Sequence, residues 1–254
     1  MSEAIVFTSG KGGVGKTTTI ANIGVGLSLL DKKVIMLDTD MGLRNLDVVM
    51  GLENQINYNL LDLLEHKCTL KQAVIKDRRF TNLALIPGAL KTTNLQKYIS
   101  NFQILVNQLK QEYDFVLIDC PAGIDTGFQF AISAADSAFL VTTPHISAIR
   151  DAGRTIYTLD SYQLTNIHLL INEYESRMVK RHEMLSKKDI EDILELECYG
   201  MIPSDKKVII SQNQGLPVIT YSSKIAEAYI RICKRIVKSG LSAFDRKEYL
   251  YEAL

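Results

Sequence analysis

The fold of this protein is decided by residues 10–17, which read Gly10-Lys11-Gly12-Gly13-Val14-Gly15-Lys16-Thr17. The run fits the pattern G-x-x-x-x-G-K-[ST], whose glycines let backbone N–H groups approach the oxygens of a triphosphate. It follows the apolar run Ile5–Phe7 and precedes a segment with apolar residues at helical spacing, from Ile20 to Leu30. The sequence therefore predicts a phosphate-binding loop between a strand and a helix.

The charged and hydroxyl side chains of this loop have predicted roles with ATP and Mg²⁺. Lys16 places a cation on the β- and γ-phosphates, and the Thr17 hydroxyl coordinates Mg²⁺. Thr18 reaches the α-phosphate, and the helix that begins near Gly15 adds the positive end of its dipole. The remaining predicted contacts are backbone contacts from Gly10, Gly12, Gly13 and Val14.

A second acidic position follows an apolar run later in the chain. Residues 115–118 read Phe-Val-Leu-Ile and lead into Asp119, which is predicted to hold Mg²⁺ through water. The alternative is an aspartate that only caps the end of a strand. Pro121 and Gly123 come next, and a glycine there lets the backbone swing toward a γ-phosphate, as expected of a switch segment.

The apolar runs are continuous rather than alternating, which is typical of strands that helices cover on both faces. We therefore predict an α/β fold with a mostly parallel, twisted sheet flanked by helices on both faces. The predicted P-loop domain spans residues 1–240, and residues 241–254 are predicted to form a C-terminal tail.

The composition argues against several classes of protein. The 254 residues are 46% hydrophobic and 23% charged, and 29 basic residues balance 29 acidic ones. Because the net charge is zero, we predict no sequence-specific nucleic-acid partner. The absence of a long apolar run, of a secretory leader and of paired cysteine motifs predicts a cytoplasmic protein.

Lys11 is the less ordinary residue of the loop, because Lys16 already supplies a cation. It is either a solvated surface lysine or a charge that reaches the phosphates of a partner subunit, as an arginine finger does. Residues 9–18 as a whole resemble the deviant Walker A motif of the MinD/ParA ATPase family. Further similarity to the MinD branch of that family runs from about residue 3 to about residue 238, in residues 38–47, 119–124, 149–151 and 211–218.

The resemblance implies an ATPase that dimerises around two ATP molecules. It implies that Lys11 crosses to the phosphates of the other subunit, where Asp151 pairs with it across the interface. It also implies that Asp40 acts near the γ-phosphate and the attacking water, while Asp38 supports Mg²⁺ or its waters. Two carboxylates at the carboxyl end of a strand suit the ligand side of an open α/β sheet.

The resemblance further implies nucleotide contacts for three residues outside the loop. Asn45 is expected at the ribose or the nucleotide of the dimer. Asn172, at the end of a strand predicted over residues 169–171, is expected at the adenine edge, and Pro203 is expected in a loop over the base. Simple turn formation is the alternative explanation for Asn172 and Pro203.

The implied partners are a second copy of the chain in the presence of ATP, a MinC-like division inhibitor, and a MinE-like or other topological regulator. The implied position is peripheral, at the inner face of the cell membrane. Residues 244–254 carry two basic residues against three acids, so we predict a weak or truncated membrane-targeting segment. A ParA-type DNA-partition ATPase and a flagellar-number regulator are the alternatives within the family.

Overall fold

The framework of the protein is a sheet of eight strands. The structure is a computed structural model and describes residues 2–91, 93–239 and 241. The strands are β1 (Glu3–Thr8), β2 (Val34–Asp38), β3 (Ile75–Lys76), β4 (Leu83–Ile86), β5 (Phe115–Asp119), β6 (Ser137–Thr142), β7 (Ile167–Tyr174) and β8 (Cys198–Pro203). Their order is β3-β4-β2-β5-β1-β6-β7-β8, and neighbours are parallel except for β3 and β4. The predicted mostly parallel sheet is confirmed.

Helices connect the strands. In chain order they are α1 (Lys16–Leu29), α2 (Leu46–Val49), α3 (Leu60–Leu64), α4 (Leu70–Ala73), α5 (Ile99–Leu109), α6 (Thr126–Ile132), α7 (Ile146–Ser161), α8 (Ser176–Lys180), α9 (Lys187–Leu194), α10 (Lys207–Asn213) and α11 (Lys224–Ser239). Short 3-10 helices lie at Glu53–Gln55, Leu95–Tyr98 and Val218–Thr220.

The sheet separates two apolar cores because side chains alternate between its faces along each strand. On one face, Ile5 and Phe7 of β1 join a core that includes Ile20 of α1. On the other face, Val6 of β1 joins a core that includes Phe102 of α5. Helices therefore cover both faces of the sheet, which is the arrangement that the continuous apolar runs predicted.

The strand order brings distant chain segments to one end of the sheet. Strand β5 lies between β1 and β2, and Asp119 at the end of β5 stands in register with Phe7 of β1 and Asp38 of β2. The loop of residues 9–15 follows β1 directly. The loop and both acids thus meet at the carboxyl ends of the strands, where ligands bind in open α/β sheets.

Two features differ from the expectations drawn from the sequence. Strand β7 continues to Tyr174, so Asn172 lies inside a strand rather than directly after one. Strand β3 has two residues, which is too few for an apolar run to indicate it.

No helix in the described part of the chain is long and apolar enough to cross a bilayer. The domain boundary at residue 240 stays a prediction, and residues 242–254 of the predicted targeting segment lie outside the described residues.

Candidate nucleotide site

The loop between β1 and α1 is a turn that requires glycine. Gly13 and Gly15 have φ angles of 80° and 90°, in the left-handed region that residues with a Cβ rarely adopt. Helix α1 begins at Lys16, directly after Gly15. The loop and the first turn of the helix together present unpaired N–H groups at one place, an arrangement that binds phosphate.

Helix α7 packs against the start of this loop. A Cβ on Gly10 would overlap the backbone of Asp151, so glycine permits this close approach. Lys11 is exposed, and its Nζ donates to Ser147 Oγ, in the first turn of α7, over 3.4 Å. The Oδ1 atom of Asp151 lies 3.7 Å from Nη1 of Arg154. Lys11 therefore lies beside the helix that carries Asp151, and the pairing of these two residues across two subunits stays a prediction.

Two buried carboxylates stand side by side at the ends of β2 and β5. Asp38 is fully buried and Asp119 is 1% exposed. Asp38 Oδ1 accepts the N–H of Asp40 at 2.9 Å, and its Oδ2 accepts the N–H of Leu46 at 3.3 Å. Burial and the neighbouring charge of Asp119 raise the pKa of Asp38 well above its ordinary value. Two carboxylates in one buried place destabilise the protein unless a cation compensates them.

The residues at this place fit a Mg²⁺ ion that arrives together with phosphate oxygens. Asp119 Oδ1 is buried and has no hydrogen-bond partner among the described residues. The Asp119 side chain nevertheless forms a hydrogen bond with the Thr17 side chain. Within the described part of the chain, no group of three or more His, Cys, Asp or Glu residues could hold a metal alone. Because Mg²⁺ is usually held by one or two carboxylates plus phosphates and waters, Thr17, Asp38 and Asp119 suit it.

The charge of Lys16 acts on two acids at the centre of the site. Lys16 is 8% exposed. Burial raises the pKa of Asp119 to about 6, although the charge of Lys16 opposes this rise. Burial also raises the pKa of Asp40, and Lys16 opposes that rise as well. Asp40 is only half-buried, so solvent reaches the place where the sequence predicts an attacking water.

The segment that follows β5 returns to the phosphate loop. Gly123 has a φ angle of 91°, and its N–H donates to the carbonyl of Ser9 at 3.3 Å. A Cβ on Gly123 would meet nothing within 4 Å, so the backbone conformation rather than space favours glycine here. Pro121 is half-buried and lies against Gly127 of α6. The predicted switch segment is thus hydrogen-bonded to the loop whose ligand it is expected to sense.

The residues expected near the base and ribose have different surroundings from one another. Asn172 is buried in β7, and its Nδ2 donates to the carbonyl of Val14 at 2.9 Å. This contact fastens β7 to the phosphate loop, a role that the sequence did not indicate. Pro203 is the half-buried last residue of β8, and Asn45 is exposed directly before α2. Contacts of these three residues with a nucleotide stay predictions.

Gln212 is a residue of this site that the sequence pattern did not single out. Its Nε2 donates to the Thr18 hydroxyl at 2.7 Å, so α10 contacts the first turn of α1, directly after the phosphate loop. The sequence indicated residues 211–218 only as one segment that resembles the MinD branch, without a role for any single residue. A glutamine on a seven-residue helix carries no local signal of a contact with a helix from the other end of the chain.

Comparisons with known proteins agree with this geometry. Residues 2–171 match a family model described as an AAA domain. The septum site-determining protein MinD of Synechocystis sp. is 46% identical over 219 residues, which cover 86% of this chain and 82% of that protein.

Solved structures show the same similarity. A chain of the MinC:MinD cell division protein complex from Aquifex aeolicus is 43% identical with a TM-score of 0.86, covering 93% of this chain and 96% of its own. MinD of Pyrococcus horikoshii, complexed with Mg-ADP, is 30% identical with a TM-score of 0.83, covering 94% of this chain and 97% of its own. The chain therefore belongs to the MinD/ParA family of P-loop ATPases, in the branch of the septum site-determining MinD proteins.

Proposed function

We propose that this protein is a switch in the placement of the division septum, and that two copies assemble around two ATP molecules. The observation that carries the proposal is the contrast between the two lysines of one loop. Lys16 is buried beside the acids of the site, whereas Lys11 is exposed and lies against α7. Because Lys11 is exposed and lies outside the nucleotide site of its own subunit, its charge is available to the phosphates that a second subunit binds.

The proposed reaction is hydrolysis of ATP to ADP and phosphate. Phosphoryl transfer to water depends on charge stabilisation and on a held nucleophile more than on covalent chemistry. Lys16 binds the β- and γ-phosphates, Asp40 orients the attacking water, and Lys11 of the second subunit adds positive charge. Thr17, Asp38 and Asp119 would hold Mg²⁺, which would supply positive charge to the phosphate oxygens. A monomer lacks the second lysine and hydrolyses ATP slowly.

The proposed output of this reaction is binding to other proteins. The ATP-bound dimer recruits a MinC-like division inhibitor, which the MinC:MinD complex of Aquifex aeolicus supports. A MinE-like regulator stimulates hydrolysis and returns the protein to the monomer. The protein acts in the cytoplasm, and the dimer takes a peripheral position at the inner face of the membrane.

The role of Lys11 across the dimer is tested with Lys11→Ala. We expect the monomer to keep its affinity for ATP, because Lys16 and the loop N–H groups are intact. We expect no dimer in analytical ultracentrifugation with a non-hydrolysable ATP analogue, because the cation that each subunit supplies to the other is missing. Lys71→Ala, at an exposed lysine of α4, is the matched control and should dimerise normally. An equal loss of monomer affinity in Lys11→Ala and Lys16→Ala would contradict the proposal.

The role of Asp40 is tested with Asp40→Ala. We expect hydrolysis to fall by about a hundredfold or more, because positioned acid–base groups typically contribute about 10²–10⁴-fold. The ATP-bound dimer should accumulate, since Lys11 and Lys16 remain. Single-turnover hydrolysis and ultracentrifugation measure the two effects. Turnover at the wild-type rate would remove Asp40 from the mechanism.

A further inference from the structure

Arg79 is held in a fixed position by an ion pair with Asp77. It lies in the turn between β3 and β4, next to Asp77, which is 3% exposed. Asp77 Oδ1 accepts Nε of Arg79 at 2.9 Å, and its Oδ2 accepts Nη2 at 2.6 Å. This two-point pairing with a buried carboxylate fixes the plane of the guanidinium.

The same guanidinium donates to two backbone carbonyls from distant parts of the chain. Nη1 donates to the carbonyl of Gly215 at 2.9 Å, and Nη2 donates to the carbonyl of Met50. Met50 directly follows α2, and Gly215 lies two positions after α10. Carbonyls near the ends of helices lack partners inside the helix. Arg79 supplies a hydrogen-bond donor to one such carbonyl beyond the end of α2 and to another beyond the end of α10.

The two helix ends also touch through their backbones. Gly51 and Gly215 have φ angles of 62° and 61°. A Cβ on Gly51 would lie 2.7 Å from the Gly215 oxygen, and one on Gly215 would lie 2.6 Å from Gly51 Cα. No side chain fits between these segments, and Arg79 bridges them from the side.

Each of the two bridged helices makes a contact with the nucleotide site. The N–H of Leu46, at the start of α2, donates to Asp38 Oδ2 at 3.3 Å. Gln212 of α10 donates to the Thr18 hydroxyl at 2.7 Å. Arg79 therefore completes a series of contacts that joins Thr18 in the first turn of α1 to Asp38 of the predicted Mg²⁺ site.

We infer that Arg79, oriented by Asp77, is a positioning residue that holds α2 against α10 and thereby prolongs the time that ATP stays bound. The inference rests on the proposed ATPase function. Without the bridge, only the Gly51–Gly215 backbone contact joins α2, which donates to Asp38, to α10, which donates to Thr18. The two helices then hold the two sides of the site around ATP less firmly. Energetic coupling between linked sites is typically ~5–150-fold, so we expect loss of the bridge to speed ATP release at least about fivefold.

The test measures the release rate of a fluorescent ATP analogue (mant-ATP) in the presence of Mg²⁺, with the full chain at concentrations where it is monomeric. Arg79→Lys keeps a cation beside Asp77 but lacks the planar fork that reaches both carbonyls. We expect it to melt near the wild-type temperature without nucleotide and to release mant-ATP at least about fivefold faster. Arg78→Ala, at the exposed neighbouring arginine, is the control and should release mant-ATP at the wild-type rate.

If Arg79→Lys released mant-ATP at the wild-type rate, the inference would be overturned, whatever the melting temperature of the variant. A cation beside Asp77 would then be sufficient for slow release, without the two contacts to the carbonyls. Arg79→Ala should release mant-ATP at least as fast as the lysine variant, and if it fails to fold the lysine variant decides the matter. Failure of the unmodified protein to bind mant-ATP or to hydrolyse ATP would defeat the proposed function instead. The two failures are therefore distinguishable.

Discussion

The two ends of the central sheet differ in the kind of polar side chain that they bury. At the carboxyl end, Asp38 and Asp119 are buried together, and Asp119 Oδ1 has no hydrogen-bond partner among the described residues. Near the amino end, the buried ring of His168 lies 5.6 Å from that of Phe139 and 5.2 Å from that of Tyr199. One end buries two acidic side chains beside each other and close to Lys16, and the other packs neutral polar rings against aromatic rings.

This difference suggests that the carboxyl end of the sheet serves ligand binding, whereas the amino end serves stability. Carboxylates buried next to each other are typical of functional sites, and they often lower the stability of the protein without its ligand. Substitutions at the carboxyl end should therefore change ligand binding, and some should stabilise the empty protein. Substitutions near the amino end should change stability and leave ligand binding intact.

The largest expected effect is that of Lys16→Ala at the carboxyl end. Loss of a buried cation that pairs with phosphates should weaken ATP binding by roughly a thousandfold, which is about 4 kcal/mol. Isothermal titration calorimetry with Mg-ATP measures the affinity, and circular dichroism checks that the variant is folded. A folded variant with wild-type affinity would place the phosphates away from this lysine.

Asp119→Asn should have opposite effects on ligand binding and stability. The pKa of Asp119 is raised to about 6, chiefly by burial, so at pH 7 the folded protein holds a charge that burial disfavours. Replacing it by a neutral amide should raise the free energy of unfolding by about 3 kcal/mol without Mg²⁺ or nucleotide, and it should weaken Mg-ATP binding. Urea denaturation in EDTA measures the first effect. A variant less stable than wild type under those conditions would contradict our comparison of the two ends.

His168 should make stability depend on pH without affecting ATP. Burial, together with the charge of Arg235, lowers the pKa of His168 from 6.5 to about 4. The unfolded chain therefore takes up a proton near pH 6.5 while the folded chain does not, and stability should fall by about 3 kcal/mol between pH 6.5 and 4. In His168→Gln this contribution should disappear from the pH dependence of urea denaturation. An unchanged pH dependence would show that the folded protein accommodates the protonated ring.

The smallest expected effect is that of Arg235→Lys near the amino end. The guanidinium lies 4.1 Å from the centre of the Tyr199 ring, and Nη1 donates to the Tyr199 carbonyl at 2.9 Å. Lysine loses the planar stacking and should lower the free energy of unfolding by about 1 kcal/mol. ATP affinity should stay at the wild-type value. A loss of ATP affinity without a loss of stability would contradict the separation of the two ends.

Much of the fold was predictable because its signals are local. Continuous apolar runs predicted strands buried on both faces, and the sheet confirms this. The acids that end β2 and β5 were recognisable because each directly follows such a run. The two-residue strand β3 and the contact of Gln212 with Thr18 had no comparable signal, since neither depends on the residues adjacent in sequence.

The sequence by itself determined the phosphate loop, because residues 10–17 act within one turn and their backbone freedom and charge are intrinsic to those residue types. Only the tertiary structure decided that Asp38 stands beside Asp119, since this depends on the order of the strands. Only the tertiary structure decided that Arg79 bridges α2 and α10, since this depends on a backbone contact between Gly51 and Gly215. Local patterns encode local conformation, whereas contacts between distant segments arise from packing of the whole chain.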